Sequence, residues 1–408
     1  MNHQAPLWTR NFILVSLINF QLVLTFYLLV VVIVGYAISE LHATTAQAGL
    51  VSGLFIVGTL IGRLLVGKFL SRFGQKATML VGLTGFLLFS TLYFIHFNIG
   101  ALLFVRFMHG FMMGVASTVF GAIIAQILPP SRRGEGIGYF SMSSTLGTAV
   151  GPFLGIWLML HAGYTAIFIL SSVLAVFCLI IATQIQVPNI QRVKSAVNSA
   201  IKSANTSTPV KPSFISQFIE VKALPIALVM LIASLFYSGV LSFVNFYAKE
   251  IDLVQAASFF FLMYAIAILL SRPFTGPLMD RKGENIIMYP AFVIMSVALF
   301  LLSQAQSATM LLICAGLLGL GYGNIQSICQ TIAVKSTVLE RMGFATSTFF
   351  IFLDAGLGFG PYFLGMALDY INYQQLYLYS SIGTILMIAI YFVLHGRQAS
   401  KKLATAKF

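Results

Sequence analysis

The chain has 408 residues, of which 59% are hydrophobic and 8% charged, and it carries a formal net charge of +13. Soluble domains carry about 25% charged residues, so this composition excludes a water-soluble fold and leaves no polar domain to house an enzyme.

Apolar runs follow one another near 12–36, 47–70, 77–97, 99–128, 137–160, 164–186, 223–247, 254–274, 285–304, 308–334, 343–368 and 374–395. Each approaches or exceeds the roughly 20 residues that cross a hydrocarbon core about 30 Å thick. The sequence therefore predicts an all-α membrane protein of twelve transmembrane helices. The first run lacks a small-residue cleavage site followed by a polar domain, and reads as a retained helix. The run at 99–128 is longer than a straight crossing needs, which predicts tilt or extension into water. Cys178, Cys314 and Cys329 fall inside apolar runs without ligand-like spacing. They predict packing roles, with no metal and no cofactor.

Residues 187–217 form the long polar stretch and read as a cytoplasmic linker. The expected division is a first six-helix bundle over 1–186, the linker over 187–217, a second bundle over 218–396 and a tail over 397–408. With both ends inside, Arg10, Lys68, Arg72, Lys76, Arg132, Arg133, Arg272, Arg281, Lys282, Lys335, Arg341 and the tail bases gather on the cytoplasmic side. The external loops hold only Lys249. That asymmetry is the positive-inside pattern. The basic charge then meets anionic lipid head groups, which argues against nucleic acid as a partner.

The bundles are copies. Gly62 to Gly74 recurs as Ser271 to Gly283, 209 residues on, and the same offset maps Gly110 onto Gly319, Gly114 onto Gly323, Arg132 onto Arg341, Gly134 onto Gly343, and Gly151-Pro152 onto Gly360-Pro361. Two parallel copies of a six-helix unit are the frame of an alternating-access carrier.

Ionisable side chains inside the bilayer are costly and mark function. Arg106, His109 and Met113 share one face of the fourth helix, and the repeat mate of Arg106 is Ala315. Asp354 is the only carboxylate near the middle of any run. A carboxylate whose surroundings change as a carrier rocks is a workable proton carrier. His109 is the rival, because its ordinary pKa is near 6.5, and Arg106 beside it joins the proton-coupling candidates. The structural alternatives are an ion pair of Asp354 with Arg63 or Arg272, and an Arg106 that snorkels or ties helix carbonyls. Arg63 and Arg272 are repeat mates, which favours gating or snorkelling for both. On the fifth helix Ser143, Gly147, Gly151 and Gly155 recur at four-residue spacing beside Pro152, and Gly356, Gly360 and Pro361 repeat them on the eleventh. This small-residue stripe is expected to be the close contact that seals the two halves.

Three motifs resemble the major facilitator superfamily, and within it the twelve-helix drug:proton antiporters. Gly67, Arg72, Gly74 and Lys76 match the G-x-L-x-D-R-x-G-R/K-R/K loop, with Ser71 in place of aspartate; the second copy keeps Asp280, Arg281 and Gly283. Arg106 to Gly114 resembles R-x-x-Q-G with His109 for glutamine, and Gly147 to Gly155 resembles G-x-x-x-G-P-x-x-G-G without its last glycine. The resemblance implies that the loop residues gate the cytoplasmic side, with Asp280 latched to Arg281 or Arg341. It also implies a cavity lined by helices one, four, seven and ten. There stand Asn19, Gln21, Tyr27, Arg106, His109, Met113, Tyr237, Asn245, Tyr247, Tyr322, Asn324, Gln326 and Gln330, which suit a neutral, zwitterionic or anionic amphiphile. The expected function is export of a small amphipathic molecule in exchange for protons, by a monomer in the lipid bilayer of a bacterial cytoplasmic membrane. The alternative is a carrier or facilitator for a defined metabolite such as a sugar, an organic anion or a metal-chelating small molecule. A receptor or membrane enzyme fits less well, since the chain shows no nucleotide-binding motif or nucleophile–base pair.

Overall fold

In a computed structural model, which describes residues 6–95, 98–187 and 219–399, the chain is all-α. The central linker, save its first residue, and all but the first three residues of the tail lie outside the described residues. Among the described residues, twelve helices are long and apolar enough to cross a membrane. The first six are α1 (Arg10–Val30), α2 (Leu50–Gly67), α3 (Arg72–Phe94), α4 (Ile99–Ile127), α5 (Pro130–Met159) and α6 (His161–Thr183). The second six are α7 (Val221–Glu250), α8 (Val254–Lys282), α9 (Asn285–Ser303), α10 (Ala308–Lys335), α11 (Met342–Ala367) and α12 (Tyr373–Ala399). A further helix, Ile33–Leu41, follows α1. Lipid offers the backbone no hydrogen-bond partners, so each crossing must satisfy its own amides, and these near-uniformly apolar sequences do so as helices.

The duplication is visible in the turns. Gly74 breaks the run Thr45–Thr91 at the start of α3 with φ 77°, and its repeat mate Gly283 ends α8 with φ 85°. Both angles lie in the left-handed region where a Cβ is penalised, which is why glycine stands at both places. Asn98 caps α4 by accepting from the Ala101 amide at 2.9 Å, and its mate Ser307 caps α10 by accepting from the Met310 amide at 3.3 Å. Each set of six helices has its own interior. One core runs from Ala223 to Tyr391 within α7–α12, and two others centre on α1–α6.

Hydrogen bonds tie together the helix ends of one face. Arg10 and Asn11 at the start of α1 reach Gln184 and Gln186 after α6, at 2.7 and 2.8 Å. Asn285 at the start of α9 reaches the Gly396 carbonyl near the end of α12 at 2.9 Å. We call this side, which also carries Lys76, Arg132, Arg133, Arg281, Lys282, Lys335 and Arg341, the basic face. The 29-residue α4 is the length its apolar run suggested.

Candidate transport site and gates

The two halves meet along two seams. In the first, α2 packs on α11. Arg63, 5% exposed, donates from Nε to Asp354 Oδ2 at 2.8 Å, from Nη1 to Thr118 Oγ1 at 3.5 Å, and lies 4.4 Å from the Phe350 ring centre. Ser347 Oγ donates to the Arg63 carbonyl at 2.6 Å. Of the two ion pairs open to Asp354, the structure forms the one with Arg63, and it joins the halves. Each charge alone would cost about 2.5–3.5 kcal/mol in the bilayer on insertion scales, so pairing is what makes both tolerable there.

In the second seam α5 packs on α8, and the repeat mates occupy the matching places. Arg272, 3% exposed, donates to Ser327 Oγ (the mate of Thr118) and to the Gly323 carbonyl at 2.9 Å. A Cβ on Gly138, the mate of Ser347, would sit 3.6 Å from Arg272 Cδ. The charge pattern differs, because the mate of Asp354 is Thr145. Among the described residues no carboxylate pairs with Arg272, and its Nε has no hydrogen-bond partner.

The basic-face ends of both seams are closed. Gly67 abuts the Phe344 ring so tightly that a Cβ would clash, and its mate Gly276 would bring a Cβ to 2.6 Å from Glu135 Cα. Asp280 accepts from the amides of Gly134 and Glu135, both at 2.9 Å, and from Lys335 Nζ at 2.9 Å. Those amides belong to the first turn of the helix that starts at Arg133, whose orphan N–H groups and positive dipole end favour a carboxylate. The expected partners of this latch are thereby corrected. Arg281 is exposed, and Arg341 pairs with Glu220 while covering Phe344 at 4.9 Å. Arg72 is exposed and lies over Phe73 at 5.4 Å.

The glycine stripe has a different neighbour from the one expected. Added Cβ atoms at Gly147, Gly151 and Gly155 would meet the Leu24 amide at 2.9 Å, Tyr27 Cβ at 2.5 Å and the Leu28 carbonyl at 2.6 Å, all on α1. Gly356 likewise meets Leu231 at 2.5 Å, and Gly360 meets Leu235 and Ser238, all on α7. The stripes, with Pro152 and Pro361 beside them, hold α5 to α1 and α11 to α7 within each half. The seams use other faces of α5 and α11.

Several residues expected in a shared cavity are tied up within one half. Arg106 is fully buried, donates to the Val51 carbonyl at 3.0 Å and Tyr93 OH at 3.2 Å, and covers the Phe55 ring at 4.4 Å. His109 bonds Tyr93 OH and Ser90 Oγ, both at 3.0 Å, so this network faces α2 and α3. Met113 belongs to the apolar core of that half. Asn19 donates to Ser143 and Ser144 at 2.8 Å, tying α1 to α5, and Gln21 accepts from Cys178 Sγ at 3.0 Å. Asn245 is exposed, Gln326 half-buried and Gln330 buried, while buried Tyr247 donates to the Ala305 carbonyl at 3.3 Å. Asn324 donates to the Leu320 carbonyl at 2.7 Å, and its Oδ1 is buried without a partner.

A central group does form. Tyr237 of α7 stacks on Tyr322 of α10, with ring centres 3.9 Å apart, and on Tyr264 of α8 at 5.5 Å. Tyr27 of α1 packs on α5, where a Cβ on Gly151 would lie 2.5 Å from its own Cβ. Sequence reasoning missed Tyr264 because α8 was not counted as a lining helix; its aromatic ring about two turns before Arg272 was the available signal.

The profile of the Major Facilitator Superfamily matches this chain over residues 15–303 and again over 226–407. Its relatives include an MFS-type transporter of Methanocaldococcus jannaschii, 24% identical over 85% of this chain and 88% of that one. Multidrug resistance protein MdtG of Klebsiella pneumoniae is 25% identical over 93% of this chain and 90% of that one. Among solved structures, the human organic anion transporter MFSD10 superposes with a TM-score of 0.72 at 16% identity, covering 95% of this chain and all of that one, a likeness of fold. With twelve spans, two repeated halves and profile matches that together reach from residue 15 to 407, the chain belongs to the Major Facilitator Superfamily and is a multi-pass membrane transporter.

Proposed function

We propose that this protein exports a small amphipathic molecule by alternating access, in exchange for protons, with the basic face in the cytoplasm. The carrying observation is the buried Arg63–Asp354 pair, which spans the two halves at 2.8 Å. Ionised, Asp354 holds Arg63 and keeps the α2–α11 seam shut on the basic side. A proton arriving from the opposite side neutralises the carboxylate, removes the Coulomb attraction and frees the seam to open toward the cytoplasm. Loss of that proton inside restores the pair and closes the basic face again, this time behind a loaded substrate. The two six-helix bundles are the rocking bodies, and the multidrug resistance name of the Klebsiella relative supports export.

Reconstituted vesicles with an imposed pH gradient test this reading against labelled amphipathic compounds. Flux that follows the gradient and stops when an ionophore collapses it is the expected result. Flux indifferent to the gradient would leave a facilitator for a defined metabolite in its place.

A further inference from the structure

Arg272 poses a question that its mate does not. Both guanidiniums lie in equivalent places, each bonded to the hydroxyl at the mated position on α4 or α10, yet only Arg63 has a carboxylate. Arg272 is a buried cation, 3% exposed, with Nε unpartnered, and Asn324 on the facing α10 leaves its buried Oδ1 unpartnered as well. Asn324 Nδ2 reaches Ser271 Oγ at 3.4 Å, so the two free polar atoms belong to one cluster. Arg106 is the other buried arginine without a carboxylate, but it is enclosed within α2, α3 and α4. Arg272 instead lies under Gly138 of α5, so parting the halves would uncover it. The Tyr264–Tyr237–Tyr322 stack is close by, since Tyr322 immediately precedes Gly323, whose carbonyl accepts from Arg272.

We infer that Arg272 is the recognition point for an anionic substrate, an aromatic carboxylate whose charged end replaces the missing mate of Asp354 and whose ring packs along the tyrosine stack. A carboxylate accepts from an arginine fork with charge-assisted geometry, and Asn324 gives the same site an acceptor for a neighbouring hydroxyl or amide. The inference rests on the reading of the chain as a carrier that opens between α5 and α8. It narrows the substrate of that carrier to organic anions.

The test is equilibrium binding of labelled 1-naphthoate to the purified full-length protein, without a gradient, beside gradient-driven flux in vesicles. Wild-type protein should bind naphthoate at least about tenfold more tightly than the uncharged 1-naphthalenemethanol, since one charged hydrogen-bonded contact is worth about 1.5–3 kcal/mol. Arg272→Gln should erase that preference and Arg272→Lys should keep part of it. Thr145→Asp, which supplies Arg272 with the carboxylate its mate already has, should also erase it while the protein stays monodisperse. Equal binding of acid and alcohol, no binding of naphthoate, or wild-type preference in both Arg272→Gln and Thr145→Asp would overturn the inference. Arg272-dependent binding with gradient-independent flux would uphold the anion site and overturn proton-coupled export instead.

Discussion

Arg63 of α2 and Asp354 of α11 stand 291 residues apart in sequence and 2.8 Å apart in space, and they form the ion pair that crosses between the halves inside the membrane. Neither has a second opposite charge among the described ion pairs, so each answers directly for the other.

Asp354→Asn should therefore do two things. It should abolish gradient-driven transport, and it should lower thermal stability, because an orphaned buried charge costs about 3–5 kcal/mol. The double substitution Arg63→Gln with Asp354→Asn should recover most of the stability and none of the coupling. Melting in detergent and vesicle flux check the two effects separately, and full proton-driven transport by Asp354→Asn alone would sink the assignment.

Asp280 caps the first turn of the helix that starts at Arg133, whereas its repeat mate in the sequence is Ser71. Ser71→Asp should add a second cap on the Gly343 and Phe344 amides. A cap of this kind is worth about 1 kcal/mol, roughly a fivefold bias toward the state closed on the basic face. A cysteine at position 138 should become correspondingly less reactive to a basic-side thiol reagent, and Asp280→Asn should make it more reactive.

Gly151→Leu should lower the melting temperature and the yield of folded protein, since its new Cβ would lie 2.5 Å from Tyr27 Cβ and 3.1 Å from α1 backbone. A stable, monodisperse variant that merely failed to transport would argue that the stripe acts between the halves after all.

Glu284, between α8 and α9, accepts from His395 Nε2 at 2.9 Å. Burial pushes its carboxyl up, but the His395 hydrogen bond, its own backbone amide and the charges of His395 and Lys335 more than offset that. The net shift is below the ordinary glutamate value. A depressed carboxyl stabilises the fold above its unfolded pKa, near 4.3, and that contribution disappears as the pH falls through the folded value. Glu284→Gln should melt earlier than wild type at pH 7, with the difference closing below about pH 4.

Much of the frame was legible in the chain, because hydrophobic length dictates spans and a fixed 209-residue offset dictates a repeat. Both follow from composition and spacing alone. The facing of particular side chains was not legible. α4 is apolar nearly all round, so no polar stripe says which way Arg106 turns, and its true partners, Tyr93 and the Val51 carbonyl, are far off in sequence. The stripe of Gly147, Gly151 and Gly155 announces a close neighbour without naming it, since a missing Cβ fits any helix backbone equally. The Arg63–Asp354 pair stood among the readings because charges so scarce must find each other, but only the fold decided between Arg63 and Arg272.

The unequal seams have an electrical consequence. The Arg63–Asp354 pair is neutral, so a transmembrane potential exerts little net force on the α2–α11 contact. Arg272 is a lone elementary charge, and a charge that traverses the full field gains about 2.3 kcal/mol per 100 mV. Voltage should therefore bias the α5–α8 contact while acidity biases the α2–α11 contact, which gives the two components of a proton-motive force separate handles on one molecule.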